Sequence, residues 1–465
     1  GFGALLDLAG TGGAQHISAT VGIGFFAGAN LVTGLYNTAI GHQALQTSVD
    51  GDKNTAIGYK SLTTFEAADG EGENTAVGYN AMQAATVGIE NVAVGSNALG
   101  SGTLTADRNI GIGVNAGGNI TSGMRNTAMG AYALDALTQG DDNIAIGADA
   151  MGALSTTDGS DKNIAIGTGA MDGVSSLAAS NNIFVGYNSG GGGWTGTLSQ
   201  KNTAVGNSTM VGALNDADSN VAVGYASLNA LTTADSNVAV GDSAGGAITT
   251  GSNNIVIGFN TGDALVDGVN NAAIGHEALS SAVDDSGNTA VGAQALYTQS
   301  GSGTTANTGI GMEAGFYNVT GANNTAVGYN ALKGASGQSN SGNTAVGKDA
   351  MLAVTDGSAN TVVGYTAGDA ITGGNYNVFM GDNAGGRQTS AHYNIGIGRS
   401  ALGNHLDGGY NVAIGGNCMS DTAAGGNSES SQFNVFMGYG AGGGTWGDSG
   451  SSTDSNVGIG YLALG

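Results

Sequence analysis

The chain has 465 residues, 40% of them hydrophobic, with a formal net charge of −25, 89 glycines and no proline. Without proline or a Gly-X-Y period it is not collagen, and a charged fraction of 10% with strictly placed aliphatic residues is not the composition of a disordered chain. So acidic a surface repels nucleic acid and anionic lipid; no apolar run reaches the ~18 residues of a membrane span; and one cysteine, Cys418, gives no disulfide framework.

Residues 1–19 are apolar and glycine-rich and are predicted to cap the first turn of a repeat. From residue 20 to residue 465 a single unit recurs. Asn37-Thr38-Ala39-Ile40-Gly41 returns as Asn54-Thr55-Ala56-Ile57-Gly58 and continues to Asn456-Val457-Gly458-Ile459-Gly460. With this glycine as position 0 there are 25 copies, and 14 of the 24 intervals are 17 residues long, the rest being longer. A repeat this short cannot bury its own apolar face, so it must stack on its copies. The expected fold is all-β, a parallel β-solenoid of about 25 rungs with a period of about 17 residues, continuous over residues 20–465. At ~4.8 Å per rung it would be a rod of about 120 Å.

Within each turn, position −1 is Ile, Val or Met, and position −3 is Thr, Val, Ile or, once, Ala272. Side chains alternate along a strand, so these two share a face, which the pattern assigns to the core. A second apolar site falls at +7 (Leu31, Phe65, Ile120, Leu137, Val174, Leu265) and is expected to slip to +8 at Val49 and Leu406. Two half-turns of eight and nine residues predict a flattened two-sheet β-roll. A three-sided hexapeptide coil fails, because the positions six and twelve residues after Ile40 are Gln46 and Asp52.

Position −4 is Asn in 24 copies, Thr20 being the departure. Asn37, Asn54, Asn74, Asn91, Asn237 and Asn411 are expected to belong to a corner ladder of stacked side-chain amides. Position −2 is Ala in 15 copies and never polar. Set against an inward −3/−1 face, it would point outward, so Ala39, Ala56, Ala76, Ala93, Ala239 and Ala413 are expected to form an interface with copies of the same chain. Three copies around an axis are favoured, with a dimer and a self-shielded monomer as alternatives.

Two long corners, Gly190 to Trp194 and Gly442 to Trp446, carry the only tryptophans. An exposed indole there could stack on a glycan; the plainer reading is a ring folded back over a wide corner. The stripe of Tyr at +1 reads as corner packing, and the five histidines have no ligand spacing. Acidic pairs such as Asp50/Asp52, Asp141/Asp142 and Asp284/Asp285 offer oxygens to calcium, but the Gly-Gly-x-Gly-x-Asp repeat is absent. No catalytic grouping, cofactor motif or metal site stands out. The chain stops mid-turn, which leaves room for further protein or for rods joined end to end.

The unit x-Ala-[Ile/Val]-Gly-x-x-[Ala/Ser] with Asn before it resembles the head repeats of YadA-type trimeric autotransporter adhesins. It is also similar to the Asn-Thr-Ala-[Ile/Val]-Gly repeats of bacteriophage fibre proteins. The resemblance covers residues 20–465. It implies a left-handed β-roll, three chains, an extracellular place on a cell surface or virion, and attachment to host surface molecules. The longer period, and the lack of a heptad stalk or anchor barrel, depart from the adhesin pattern. The expected function is therefore a non-enzymatic extracellular fibre or adhesin rod. The alternatives are an end-to-end filament subunit and, less favoured, a polysaccharide-binding or depolymerising fibre.

Overall fold

Mostly β-branched residues at −3 and −1 flank a −2 residue that is Ala or Gly in 20 of the 25 copies, and the −3 to −1 triplet is the strand in every repeat. The computed structural model of the chain describes residues 20–66, 71–154, 159–173, 179–195, 199–337, 339–406, 408–420, 431–444 and 454–464. It is a parallel β-solenoid with a period of about 17 residues and no helix among the described residues. Two compact units divide between Ser236 and Asn237. The rung strands of the first run from Val21–Ile23 to Val221–Val223, and those of the second from Val238–Val240 to Val457–Ile459.

Within each unit every rung strand lies parallel to the next, with every position paired to its own copy. Thr38, Ala39 and Ile40 face Thr55, Ala56 and Ile57; Val238, Ala239 and Val240 face Ile255, Val256 and Ile257. The other side of each turn is built of bends joined rung to rung by backbone hydrogen bonds, such as Thr121 N to Thr138 O at 2.9 Å. A regular strand pair appears there only once among the described residues, between Asp284–Ser286 and Ser302–Thr304.

The strand faces are the reverse of the sequence expectation. Ala39, Ala56, Ala76, Ala93, Ala239 and Ala413 have no exposed surface and point into the coil. The aliphatic residues at −3 and −1 point out, half-buried by their stacked neighbours or exposed. The parity of the strand explains the correction: Asn at −4 is buried, so −2 must be buried with it while −3 and −1 face away. The alanines are therefore core residues of a thin coil and not a face for another chain.

The interior is filled by Ala at −2, Ala, Ser, Thr or Cys at +3, Leu or Met at +4, and the +7 residue. Leu31, Phe65, Ile120, Leu137 and Leu265 at +7 are buried, as expected; Val174 lies outside the described residues. The slip to +8 does not occur. Ser48 and His405 hold the inward +7 place and are buried, while Val49 and Leu406 are only half-buried.

Volume is traded between −2 and +4. Where −2 is large, +4 is glycine: a Cβ on Gly190 would lie 2.5 Å from the Phe184 ring, and one on Gly385 would lie 2.6 Å from the Phe379 ring. Where −2 is glycine, an adjacent turn takes the space, as Leu99 does beside Gly111 and Leu296 beside Gly309. Interiors are packed to crystal-like density, so one position cannot grow unless its neighbour shrinks.

Glycine at position 0 has a direct cause. Gly258 has φ +138°, and a Cβ there would sit 2.6 Å from the carbonyl oxygen of Gly275 in the next turn. Backbone stacks on backbone at this corner, so no side chain fits and no other residue adopts the conformation cheaply.

Candidate functional site

Two polar columns, one buried and one partly buried, hold the turns in register. In the first, each −4 asparagine Oδ1 accepts the backbone N–H of the next −4 asparagine: Asn54 N donates to Asn37 Oδ1 (2.8 Å), Asn91 N to Asn74 Oδ1 (2.9 Å), Asn254 N to Asn237 Oδ1 (2.9 Å) and Asn434 N to Asn411 Oδ1 (3.1 Å). The amide group donates in turn to the bend side of the following turn, as from Asn37 Nδ2 to Gly51 O at 2.7 Å. Thr20 takes the same place with its hydroxyl, accepting from Asn37 N at 3.3 Å. A buried backbone donor without a partner costs about 1–3 kcal/mol, which accounts for the near-invariance of the column.

The second column lies at −6 and was not anticipated. A side chain there accepts the backbone N–H of the preceding −6 residue: Asp52 from Leu35 (2.6 Å), Asp107 from Ile89 (2.9 Å), Asp141 from Met124 (2.8 Å) and Asn375 from Ser358 (2.6 Å). The signal was present as Asp, Ser, Asn or His recurring six residues before the glycine. It gives Asp52 and Asp141 of the acidic pairs a structural task. Their neighbours are engaged too: Asp50 accepts from the Thr33 hydroxyl (2.6 Å), and Asp142 from Arg125 Nε (2.6 Å) and Nη2 (3.0 Å). The Arg125 hydrogen bond holds the Asp142 carboxyl below its usual range.

Gln299, Gln388 and His405 at +7 meet the asparagine column from inside. Gln299 Oε1 and Gln388 Oε1 each accept an asparagine amide, from Asn307 and Asn394 respectively, both at 2.9 Å. His405 Nε2 lies 3.2 Å from Asn411 Nδ2. Beside Gln299, Asp285 is fully buried; Gln299 Nε2 donates to its Oδ1 at 3.2 Å, and its Oδ2 has no partner among the described residues. Burial pushes this carboxyl above its ordinary range, against the opposing hydrogen bonds from Gln299, Gly301 and Thr305. Burial likewise raises the Cys418 thiol to about 11, so it is not a nucleophile at neutral pH.

The outer surface of the rung sheet is aliphatic along −1, while −3 carries threonine in 10 of the 25 copies. Val205 (39% exposed), Ile274 (40%) and Met380 (42%) represent the −1 column. Stacked aromatic rings widen this strip. Phe25, His42, Tyr59 and Tyr79 at +1 stack at 5.4, 5.3 and 5.2 Å. Tyr376, Tyr393, Tyr410 and Phe433 at −5 stack at 4.9, 4.9 and 5.0 Å. In the first unit the −5 column instead carries the ion pairs Lys53–Glu73 and Arg108–Glu90, both at 2.6 Å. Exposed pairs of this kind contribute little stability; they match one turn to the next.

Trp194 does not offer its face to a ligand. It is 4% exposed, packs edge-on against Phe184 at 5.7 Å, and its Nε1 donates to Gly190 O at 2.9 Å. The ring is folded back over the wide corner, filling space beside Phe184. Trp446 lies outside the described residues. Among the described residues, no group of three or more His, Cys, Asp or Glu could hold a metal ion. No helix among them is long and apolar enough to cross a membrane.

The fold and its surfaces define a β-solenoid repeat protein. No family model and no curated protein matches this chain.

Proposed function

We propose that this chain is a structural segment of an extracellular fibre or adhesin, which spans distance, supports attachment to a host or other surface, and performs no catalysis. Copies associate side by side through the aliphatic strip, three around an axis, as the resemblance to trimeric adhesin heads and phage fibres implies. The observation that carries this reading is the outward −1 column, where Val, Ile or Met repeats rung after rung on a sheet face open to solvent, flanked at −3 by Val, Ile or Thr in all copies but Ala272. Extended apolar patches on a protein surface mark interaction sites. A partner with the same rung spacing matches every position of the strip, and another copy of the chain has that spacing. Covering the remaining surface of one −1 side chain contributes about 1 kcal/mol, and the gain recurs at every rung. The acidic remainder of the surface keeps such assemblies apart in solution.

Light scattering on the purified chain tests this. The expected mass is three times 45.0 kDa. The double variant Val205→Asp, Ile274→Asp is expected to fall to the single-chain mass with its β signal intact. A wild-type chain that stays monomeric at tens of micromolar overturns the reading. Mass that grows without limit would put the filament in its place.

A further inference from the structure

Near the end of the second unit a corner of the solenoid is hollowed out. At position +5, where Gln46, Thr63 and Gln83 carry long or branched side chains and Gly100, Gly118 and Gly152 carry none, the three successive turns after Gly398, Gly415 and Gly438 carry Gly403, Ser420 and Gly443. Losing side-chain volume on successive rungs leaves a cleft of about 390 Å³. Ser400 and Asn417 at +2 form one wall, and Tyr439 stands at the mouth. Asn417 Nδ2 donates to the Tyr439 hydroxyl at 3.2 Å, and Gly416 lies beneath the ring, where a Cβ would come within 3.2 Å. Tyr439 itself remains about half exposed.

Two observations point to a ligand and to its kind. Among the described residues no charged side chain lines the cleft, although the chain carries 35 acidic residues. Ser420 is 8% exposed, lines the cleft, and its hydroxyl makes no hydrogen bond among the described residues. A hydroxyl lining the cleft in this way can both donate to and accept from a bound molecule. Amides, hydroxyls and one exposed aromatic ring around an uncharged hollow suit a molecule that is polar but neutral, with many hydroxyls and an apolar face. The volume falls in the range of small-ligand sites.

We propose that this cleft binds a neutral saccharide, with Ser420 and Asn417 exchanging hydrogen bonds with sugar hydroxyls and Tyr439 covering one face of the ring. The proposal rests on the attachment role of the fibre, and supplies the chemistry of what is attached.

The test uses the full chain on an array of neutral gluco-, manno-, galacto- and xylo-oligosaccharides, with uronate and sialylated glycans as charged comparators. Hits are then measured by titration calorimetry. At least one neutral class is expected to bind, and Ser420→Ala and Asn417→Gly are each expected to weaken it tenfold or more. Asn417 has φ +52°, which glycine adopts freely. Asn97→Gly, at the equivalent place in the first unit with φ +53°, is expected to bind as the wild type does. Retention of no neutral glycan, preference for charged ones, or binding unchanged by both cleft variants would each overturn the assignment. The mass of the same samples in solution reports on side-by-side association separately, so the two ideas can fail independently.

Discussion

Asn254→Ala isolates one step of the −4 column. The native side chain donates from Nδ2 to Asn237 Oδ1 (3.1 Å) and Gly268 O (2.8 Å), and its Oδ1 accepts from Asn271 N (3.0 Å) and Nδ2 (3.1 Å). Alanine leaves the Gly268 carbonyl and the Asn271 N–H buried without these partners, while Asn237 Oδ1 keeps the backbone of Asn254 at 2.9 Å. Two orphaned groups at about 1–3 kcal/mol each give a loss of about 4 kcal/mol. In a stack where each turn contacts only its neighbours, the loss should be local. Native-state hydrogen exchange is therefore the assay: the Asn271 amide should lose about 4 kcal/mol of protection, and amides several turns away should lose little. Asn254→Thr keeps an acceptor, as Thr20 does in the first rung, and should lose roughly half as much. A loss below about 1 kcal/mol at Asn271 would show that the column is not what holds the turns together.

Two more outcomes are expected in the core. Gly385→Ala places a Cβ against the Phe379 ring and should cost about 2 kcal/mol; adding Phe379→Ala should recover a measurable part of the Gly385→Ala penalty in a double-mutant cycle of urea melts, and strict additivity would refute the volume trade. For Asp285, burial raises the folded pKa above the unfolded value of about 3.9. Its contribution to stability is therefore greatest below that value and is lost as pH rises through the folded pKa. Asp285→Asn should remove this loss, so the variant gains on the wild type as pH rises above about 4 in thermal melts; parallel curves would refute it.

The asparagine column was legible because a polar residue returning at fixed phase in an otherwise apolar repeat has no other explanation. The orientation of the strand was not. Alternation fixes only that −3 and −1 share a face and that −4 and −2 share the other. A β-branched pair looked like core and alanine looked like surface, as in a wide sheet. In a coil this thin, the Leu or Met at +4 and the residue at +7 already fill the interior, so only alanine or glycine fits opposite them unless +4 is itself glycine, as at Phe184 and Phe379. The buried Asn at −4 held the answer by parity, but treating it as a corner residue removed that constraint.

From the residue order alone came the repeat, its period, the parallel stacking of identical positions and the need for glycine at position 0, because each depends on distances along the chain. Which side of the strand meets water, that Trp194 is folded away, that Ser48 and His405 keep an inward place, and that small residues on successive turns open a hollow beside Ser420 were settled only by the folded coil. Those depend on how much volume the interior leaves at each point, which is a sum over residues from neighbouring turns and is not written in any one of them.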